Sequence, residues 1–93
     1  KSILWLVPNA QKNKMEPILL HLVAGCSTEE DRPHEGEEFG YVLSGTVTLV
    51  LGMKRYKVRK GGSFYFQADM PHKIENNGKK DAEVIWISTP PMF

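Results

Sequence analysis

The chain has 93 residues, 41% of them apolar, which suffices for one domain with a single core and no covalent staple. Twelve Lys and Arg against eleven Asp and Glu leave a formal charge of +1, so the sequence lacks the electrostatic footprint of a nucleic-acid binder. The single cysteine, Cys26, excludes an internal disulfide, and no apolar run approaches the roughly 20 residues that a membrane-spanning helix needs.

Lys1-Ser2 leads into a short apolar alternation, Ile3 to Val7, that stops at the turn signal Pro8-Asn9. These opening residues do not form a signal-peptide pattern, and with one cysteine the expected compartment is the cytoplasm. A start on Lys rather than Met suggests a piece cut from a longer protein. After the polar stretch from Lys12 to Lys14, the β-rich run Pro17 to Val23 closes at Gly25, and residues 26–33 read as a polar, acidic loop that leads into His34. Strands are predicted over Phe39 to Leu43 and Thr46 to Leu51, with Ser44-Gly45 as the turn between them. Arg55 to Arg59, Ser63 to Phe66, Lys73 to Glu75 and Ala82 to Ser88 complete the set, separated by Gly52, Gly61-Gly62 and Asn77-Gly78. The basic stretch Lys54 to Lys60 alternates with Tyr56 and Val58, as the wet face of a strand does. No window sustains a helical period. Strands recurring every 8–12 residues or so predict an all-β antiparallel sandwich or barrel of about seven to ten strands, in one domain spanning residues 1–93.

Alternation places Glu38, Gly40 and Val42 on one face of their strand, with Phe39, Tyr41 and Leu43 on the other. The second set is apolar and needs cover from another sheet or a partner subunit. Val84, Trp86 and Ile85, Ile87 make the last strand apolar on both faces, which predicts burial on both sides. Two runs concentrate chemistry-bearing residues: Arg32 to Gly45, with His34 and Glu38, and Gly61 to Gly78, with His72 and Asn76. Two imidazoles and one carboxylate brought together form the donor set of a small metal site, or equally the polar floor of an organic-ligand pocket. Tyr41, Tyr65, Phe64, Phe66 and Trp86 are available to line such a pocket, and inward Gly40, Val42 and Ser44 would leave room in it. His21 lies outside both runs and reads as structural or surface; Asn76 and Gly45 read as turn-shaping.

Together the two runs resemble the paired motifs of the cupin superfamily. The first family motif reads His-x-His, three or four residues, Glu, six residues, Gly; His34 matches its second His, and Glu38 and Gly45 follow in register. The second reads Gly, five residues, Pro-x-Gly, two residues, His, three residues, Asn; Gly61, His72 and Asn76 fall on it. The resemblance implies a small antiparallel β-barrel of the double-stranded β-helix, or jelly-roll, type. It also implies that His34, Glu38 and His72 converge on a site suited to a divalent metal such as Zn, Fe, Mn or Ni. Arg32 stands where the family has its first His, and Gln67 and Asp69 stand for the Pro and the Gly. A guanidinium is permanently cationic and cannot ligate metal. Pointing inward it would repel a cation and attract a carboxylate or phosphate; pointing outward it leaves three donors with open positions.

A finer resemblance is carried by Glu37 to Gly45, Gly62 to Phe66, Pro71-His72, Pro8-Asn9-Ala10, Met15-Glu16-Pro17 and Ser88 to Pro91. These stretches are similar to bacterial regulators with an N-terminal Cro/repressor-like helix-turn-helix and a C-terminal cupin domain. The resemblance implies an effector-sensing module for an anionic or polar small molecule, with Arg32, His34, Glu38, Tyr41, Tyr65 and His72 as candidate contacts. It implies a homodimer through Phe39, Tyr41 and Leu43, and DNA bound only by a domain upstream of Lys1. Two other readings stay open: a mononuclear-metal cupin enzyme, an oxygenase or isomerase, and a structural barrel without a ligand.

Overall fold

The computed structural model describes residues 1–93. Eight strands follow in chain order: β1 (Ser2–Trp5), β2 (Glu16–Leu22), β3 (Glu37–Ser44), β4 (Thr46–Leu51), β5 (Lys54–Arg59), β6 (Ser63–Gln67), β7 (His72–Glu75) and β8 (Ala82–Thr89). A single 3-10 turn at Ala10–Lys12 separates β1 from β2, and no helix is long and apolar enough to cross a membrane. All pairings are antiparallel, in a five-stranded sheet ordered β1-β2-β8-β3-β6 and a three-stranded sheet ordered β5-β4-β7. The all-β barrel expected from the turn spacing is therefore present, as two facing sheets.

Period-two alternation decides which side chains meet between the sheets. β2 turns Glu16, Ile18, Leu20 and Leu22 inward, β8 turns Ala82, Val84, Trp86 and Ser88 inward, and β3 contributes Glu38, Gly40 and Val42. Val47, Leu49 and Ile74 come from the opposite sheet, and Phe64 and Phe66 close the side. Each aliphatic side chain fully withdrawn from water in this way contributes about 1.5–3 kcal/mol. The core is thus apolar except for a few buried polar groups, among them Glu16, Glu38 and His72.

The outer face of the five-stranded sheet is a different matter. Phe39, Tyr41 and Leu43 are each 38–39% exposed, and Ile85 and Ile87 are only half-buried. Cross-strand register aligns Leu4, Leu19, Ile85 and Tyr41 in one row, and Ile87, Phe39 and Tyr65 in the next. Burial of β8 on both faces is therefore corrected: the chain covers its Val84–Trp86 side and leaves the other to the outside.

Two glycines explain local departures. Ser44-Gly45 does not close a hairpin, because β3 pairs with β6 and β8 whereas β4 pairs with β5 and β7. The chain changes sheets there, with Gly45 at φ +75° and a Cβ position only 2.7 Å from the Asp81 carbonyl oxygen. At Gly40 the constraint is space: a Cβ would lie 2.1 Å from Phe64 Cζ. The room expected beside Gly40 is thus filled by the Phe64 ring. Asn76, buried, shapes its turn as expected, donating to the Leu22 and Lys80 carbonyls and accepting from the Gly78 N–H.

Gly40→Ala should lower the unfolding free energy by about 1–3 kcal/mol in a urea titration, the usual cost of forcing extra volume into a packed core. Phe64→Leu introduced on top should recover part of that loss. An unchanged midpoint in Gly40→Ala would show that the ring does not hold position 40 bare.

Candidate metal centre

Three chain segments carry the inner polar cluster. Glu38 is the second residue of β3 and faces inward by alternation; His72 opens β7; His34 sits on the segment that leads from β2 into β3, held by its backbone N–H to the Ala68 carbonyl at 2.7 Å. Glu38 and His72 are almost wholly buried, and the His34 side chain is 12% exposed. One donor atom from each of the three lies within 4.8 Å of the others. The sequence expectation that His34, Glu38 and His72 converge thus matches the geometry.

Hydrogen bonds fix the ring tautomers. His72 Nδ1 lies 3.0 Å from the Met70 carbonyl and His34 Nδ1 lies 3.0 Å from the Glu35 carbonyl. A carbonyl only accepts, so each Nδ1 carries a hydrogen and, in the neutral ring, each Nε2 keeps its lone pair. Both Nε2 atoms then face the same Glu38 oxygen, Oε2, at 3.0 Å from His34 and 2.9 Å from His72. The other carboxylate oxygen, Oε1, accepts from Trp86 Nε1–H at 2.7 Å, which pins the carboxylate. His72 Nε2 has no properly oriented hydrogen-bond partner and is sealed from water. Lone pairs aimed at a carboxylate oxygen in a dry site call for positive charge between them, from protons or from a metal ion. The donor chemistry fits a divalent metal: two imidazoles and one carboxylate, each imidazole oriented through its far nitrogen.

Electrostatics agree. Burial pushes the His72 imidazole down, but Glu38, the Met70 carbonyl and Asp31 together outweigh it, and its pKa ends above the usual 6.5. Asp31, missed in the sequence, lies with Oδ2 3.5 Å from His72 Nε2. Burial raises the Asp31 carboxyl, His72 pulls it back, and Glu38 raises it again.

Other candidates fall elsewhere. Arg32 is exposed and joins none of the ion pairs. Tyr41 and Tyr65 stand on the outer face, 39% and 61% exposed, and Tyr65 hydrogen-bonds Glu37. Their expected place lining the interior is corrected by register: Tyr65 sits opposite Phe39, on the side of β3 away from Glu38. Phe66 does reach the cluster, its ring centroid 5.2 Å from that of His72. His21 is a surface residue paired with Asp81 and Glu83. Trp86 was legible only as a pocket liner, although a buried indole N–H needs an acceptor and Glu38 is the inward carboxylate nearby.

Two spaces adjoin the cluster. A cleft of about 640 Å³ opens beside His34 and is walled by Glu35, Glu37, Gln67, Asp69, Thr89 and Pro90. A smaller cavity of about 170 Å³ lies between Leu20, Asp31, Trp86 and Phe93. Arg32, expected from the resemblance to contact a ligand, lines neither. The cleft is acidic, which disfavours an anion entering on that side.

Glu38→Gln tests the lone-pair argument in metal-free protein. The amide oxygen would still accept from Trp86, and the amide NH₂ would donate to both imidazoles. In wild type, the imidazolium–carboxylate contact of His72 is present below the ordinary value of 6.5 and is lost as pH rises through the raised folded value. With chelator present and at pH above that raised value, Glu38→Gln should therefore be the more stable protein by about 1–3 kcal/mol, the cost of a buried polar group left unpaired. Towards about pH 6 the gap should close or reverse. A variant less stable than wild type at every pH would contradict the tautomer assignment.

Comparison with known proteins gives this geometry a context. The cupin-domain family model matches residues 18–88. An uncharacterised protein of Methanocaldococcus jannaschii, MJ1618, is 31% identical over 87 residues, covering 92% of this chain and 70% of that protein. The HTH-type transcriptional regulator PuuR of Escherichia coli is 29% identical over 89 residues, covering 95% of this chain and 48% of the regulator. The chain thus spans about half the length of PuuR. Among solved structures, the cupin domain of an XRE-family transcriptional regulator from Enterobacter cloacae aligns with a TM-score of 0.85 at 20% identity, covering 98% of this chain and 97% of the other. An HTH_3-family regulator from Vibrio cholerae aligns with a TM-score of 0.82 at 22% identity, covering 97% of this chain and 51% of the other. At that identity the structural likeness speaks for the fold. Paired motifs in register, two facing antiparallel sheets and a family match over most of the chain lead to one assignment: the protein belongs to the cupin-domain family, among relatives that include helix-turn-helix transcriptional regulators.

Proposed function

We propose that this domain is the effector-sensing module of a bacterial transcriptional regulator, with a divalent metal held by His34, Glu38 and His72 as the anchor for a small polar effector. The observation that carries it is the pair of imidazole Nε2 atoms facing one carboxylate oxygen with His72 Nε2 left unpartnered. A bound divalent ion supplies positive charge and open coordination positions for an effector's donor atoms. The chain's own residues hold and orient: Trp86 fixes the carboxylate, and the Met70 and Glu35 carbonyls fix the ring tautomers. The acidic cleft at Glu35, Glu37 and Asp69 favours a neutral or positively charged polar molecule over the anion expected from Arg32.

In this reading DNA is bound by a separate helix-turn-helix upstream of Lys1, in a cytoplasmic protein, and this domain reports effector occupancy to it. Only an effector with different affinity for two arrangements of the regulator could do so. The second reading, a mononuclear-metal oxygenase or isomerase, is favoured by a specific feature: three protein donors leave positions free for substrate. The outer rows Leu19–Ile85–Tyr41 and Ile87–Phe39–Tyr65 support a homodimer that covers this face.

Protein purified without chelators should hold close to one equivalent of divalent metal by elemental analysis. Less than about a tenth of an equivalent, with no uptake on reconstitution, would remove the metal from both readings. Effector-dependent release of operator DNA by the longer regulator supports the sensor; substrate turnover by the metal-loaded domain alone would instead select the enzyme. Light scattering should report about twice the 10.5 kDa chain mass. Ile87→Glu should return the mass to that of one chain, and wild type running as a monomer would overturn the proposed interface.

A further inference from the structure

We infer that Asp31 supplies a fourth protein donor to this centre, in the role that Arg32, one residue further on, cannot fill. The inference rests on the metal reading above and extends it to a residue outside both family motifs. Its basis is the backbone. Asp31 and His72 form an antiparallel bridge, with the Asp31 N–H donating to the His72 carbonyl at 2.8 Å and the His72 N–H donating to the Asp31 carbonyl at 3.1 Å. Residues directly opposite in such a bridge project their side chains to the same face. The Asp31 carboxylate consequently lies beside the His72 ring, Oδ2 3.5 Å from the buried and unpartnered Nε2. Arg32 remains exposed and outside every ion pair.

The spacing suits coordination. Donor atoms around a small divalent ion with bonds of about 2.0–2.2 Å sit about 2.8–3.6 Å from their neighbours. Three adjacent separations fall in that range: 3.0 Å for His34–Glu38, 2.9 Å for His72–Glu38 and 3.5 Å for His72–Asp31; the group lying mutually within 4.8 Å is His34, Glu38 and His72, and Asp31 joins it through His72. Glu38 and His72 are sealed inside and His34 is 12% exposed, whereas the Asp31 side chain is 47% exposed. Asp31 is thus the donor that faces solvent and the small cavity between Leu20, Trp86 and Phe93. Two imidazoles with two carboxylates neutralise a doubly charged ion and raise the oxygen share of the donor set. That composition moves preference towards Mn(II) and away from Ni(II), relative to three imidazoles with one carboxylate.

The test is titration of chelator-stripped domain with Mn(II), followed by calorimetry and by the loss of the free-ion EPR signal, with Ni(II) as comparison. Wild type should bind one Mn(II). Asp31→Asn should weaken Mn(II) binding about 10- to 100-fold, the range seen when a group that supports a metal site is removed. Arg32→Ala should stay within about twofold of wild type, since an exposed, unpaired cation gives little to the site. Asp31→His should invert the order, strengthening Ni(II) relative to Mn(II). Unfolding in chelator reports separately whether a variant still folds; if Asp31→Asn is unstable, Asp31→His carries the test through its Ni(II)-to-Mn(II) ratio. Wild type binding Mn(II) with Asp31→Asn binding it equally well would overturn the role of Asp31 and leave the three-donor centre standing. Wild type taking up neither ion would overturn both.

Discussion

Much in this small barrel depends on one carboxylate oxygen, Glu38 Oε2, to which two imidazoles turn their Nε2 nitrogens. Nothing in an apolar core favours such an arrangement by itself. Two backbone carbonyls lock the rings from behind and an indole N–H holds the carboxylate from the side, so none of the three groups can turn away cheaply. The fold keeps the cluster dry: Phe66 lies over His72, and neither ring nor carboxylate gives much surface to water. A site built this way carries a demand for positive charge, which protons or a metal ion would meet.

The same elements connect the site to the rest of the molecule. Trp86, which holds Glu38 through its N–H, stacks edge-on against Phe93 with ring centroids 4.8 Å apart. The Phe93 backbone N–H in turn donates to Glu16, a carboxylate with no exposure that also accepts from Trp5 and Gln11. Side chains from β1, β2, β8 and the last residues therefore meet through two buried carboxylates. In the proposed sensing role, this contiguity offers a physical path between the centre and β1.

Much of this was legible in the sequence. Spacing of glycines, prolines and β-branched runs located the strands to within a residue or two, because each strand ends where a turn residue is required. Motif register found His34, Glu38 and His72, since their separations are set by strand and loop lengths that the family shares. What stayed hidden depended on pairing between distant segments. Asp31 looked like one more acidic loop residue, because an isolated bridge to His72 leaves no periodic trace. Tyr65 looked like a pocket residue because its partner across β3, Phe39, cannot be read from β6 alone. Tyr41 is more instructive, since alternation from Glu38 already assigned it to the opposite face. Ser44-Gly45 read as a hairpin turn because punctuation marks where a chain bends and not which sheet it joins next.

The tautomers of His34 and His72 in metal-free protein, followed through addition of Zn(II), bear most directly on the lone-pair centre. Long-range ¹H–¹⁵N correlation spectra at a pH where both rings are neutral should show hydrogen on Nδ1 and a bare Nε2 in each. Addition of one equivalent of Zn(II) should then shift both Nε2 resonances together while the Nδ1–H signals persist. Rings protonated at Nε2 in the neutral state, or Nε2 resonances indifferent to the metal, would contradict the account.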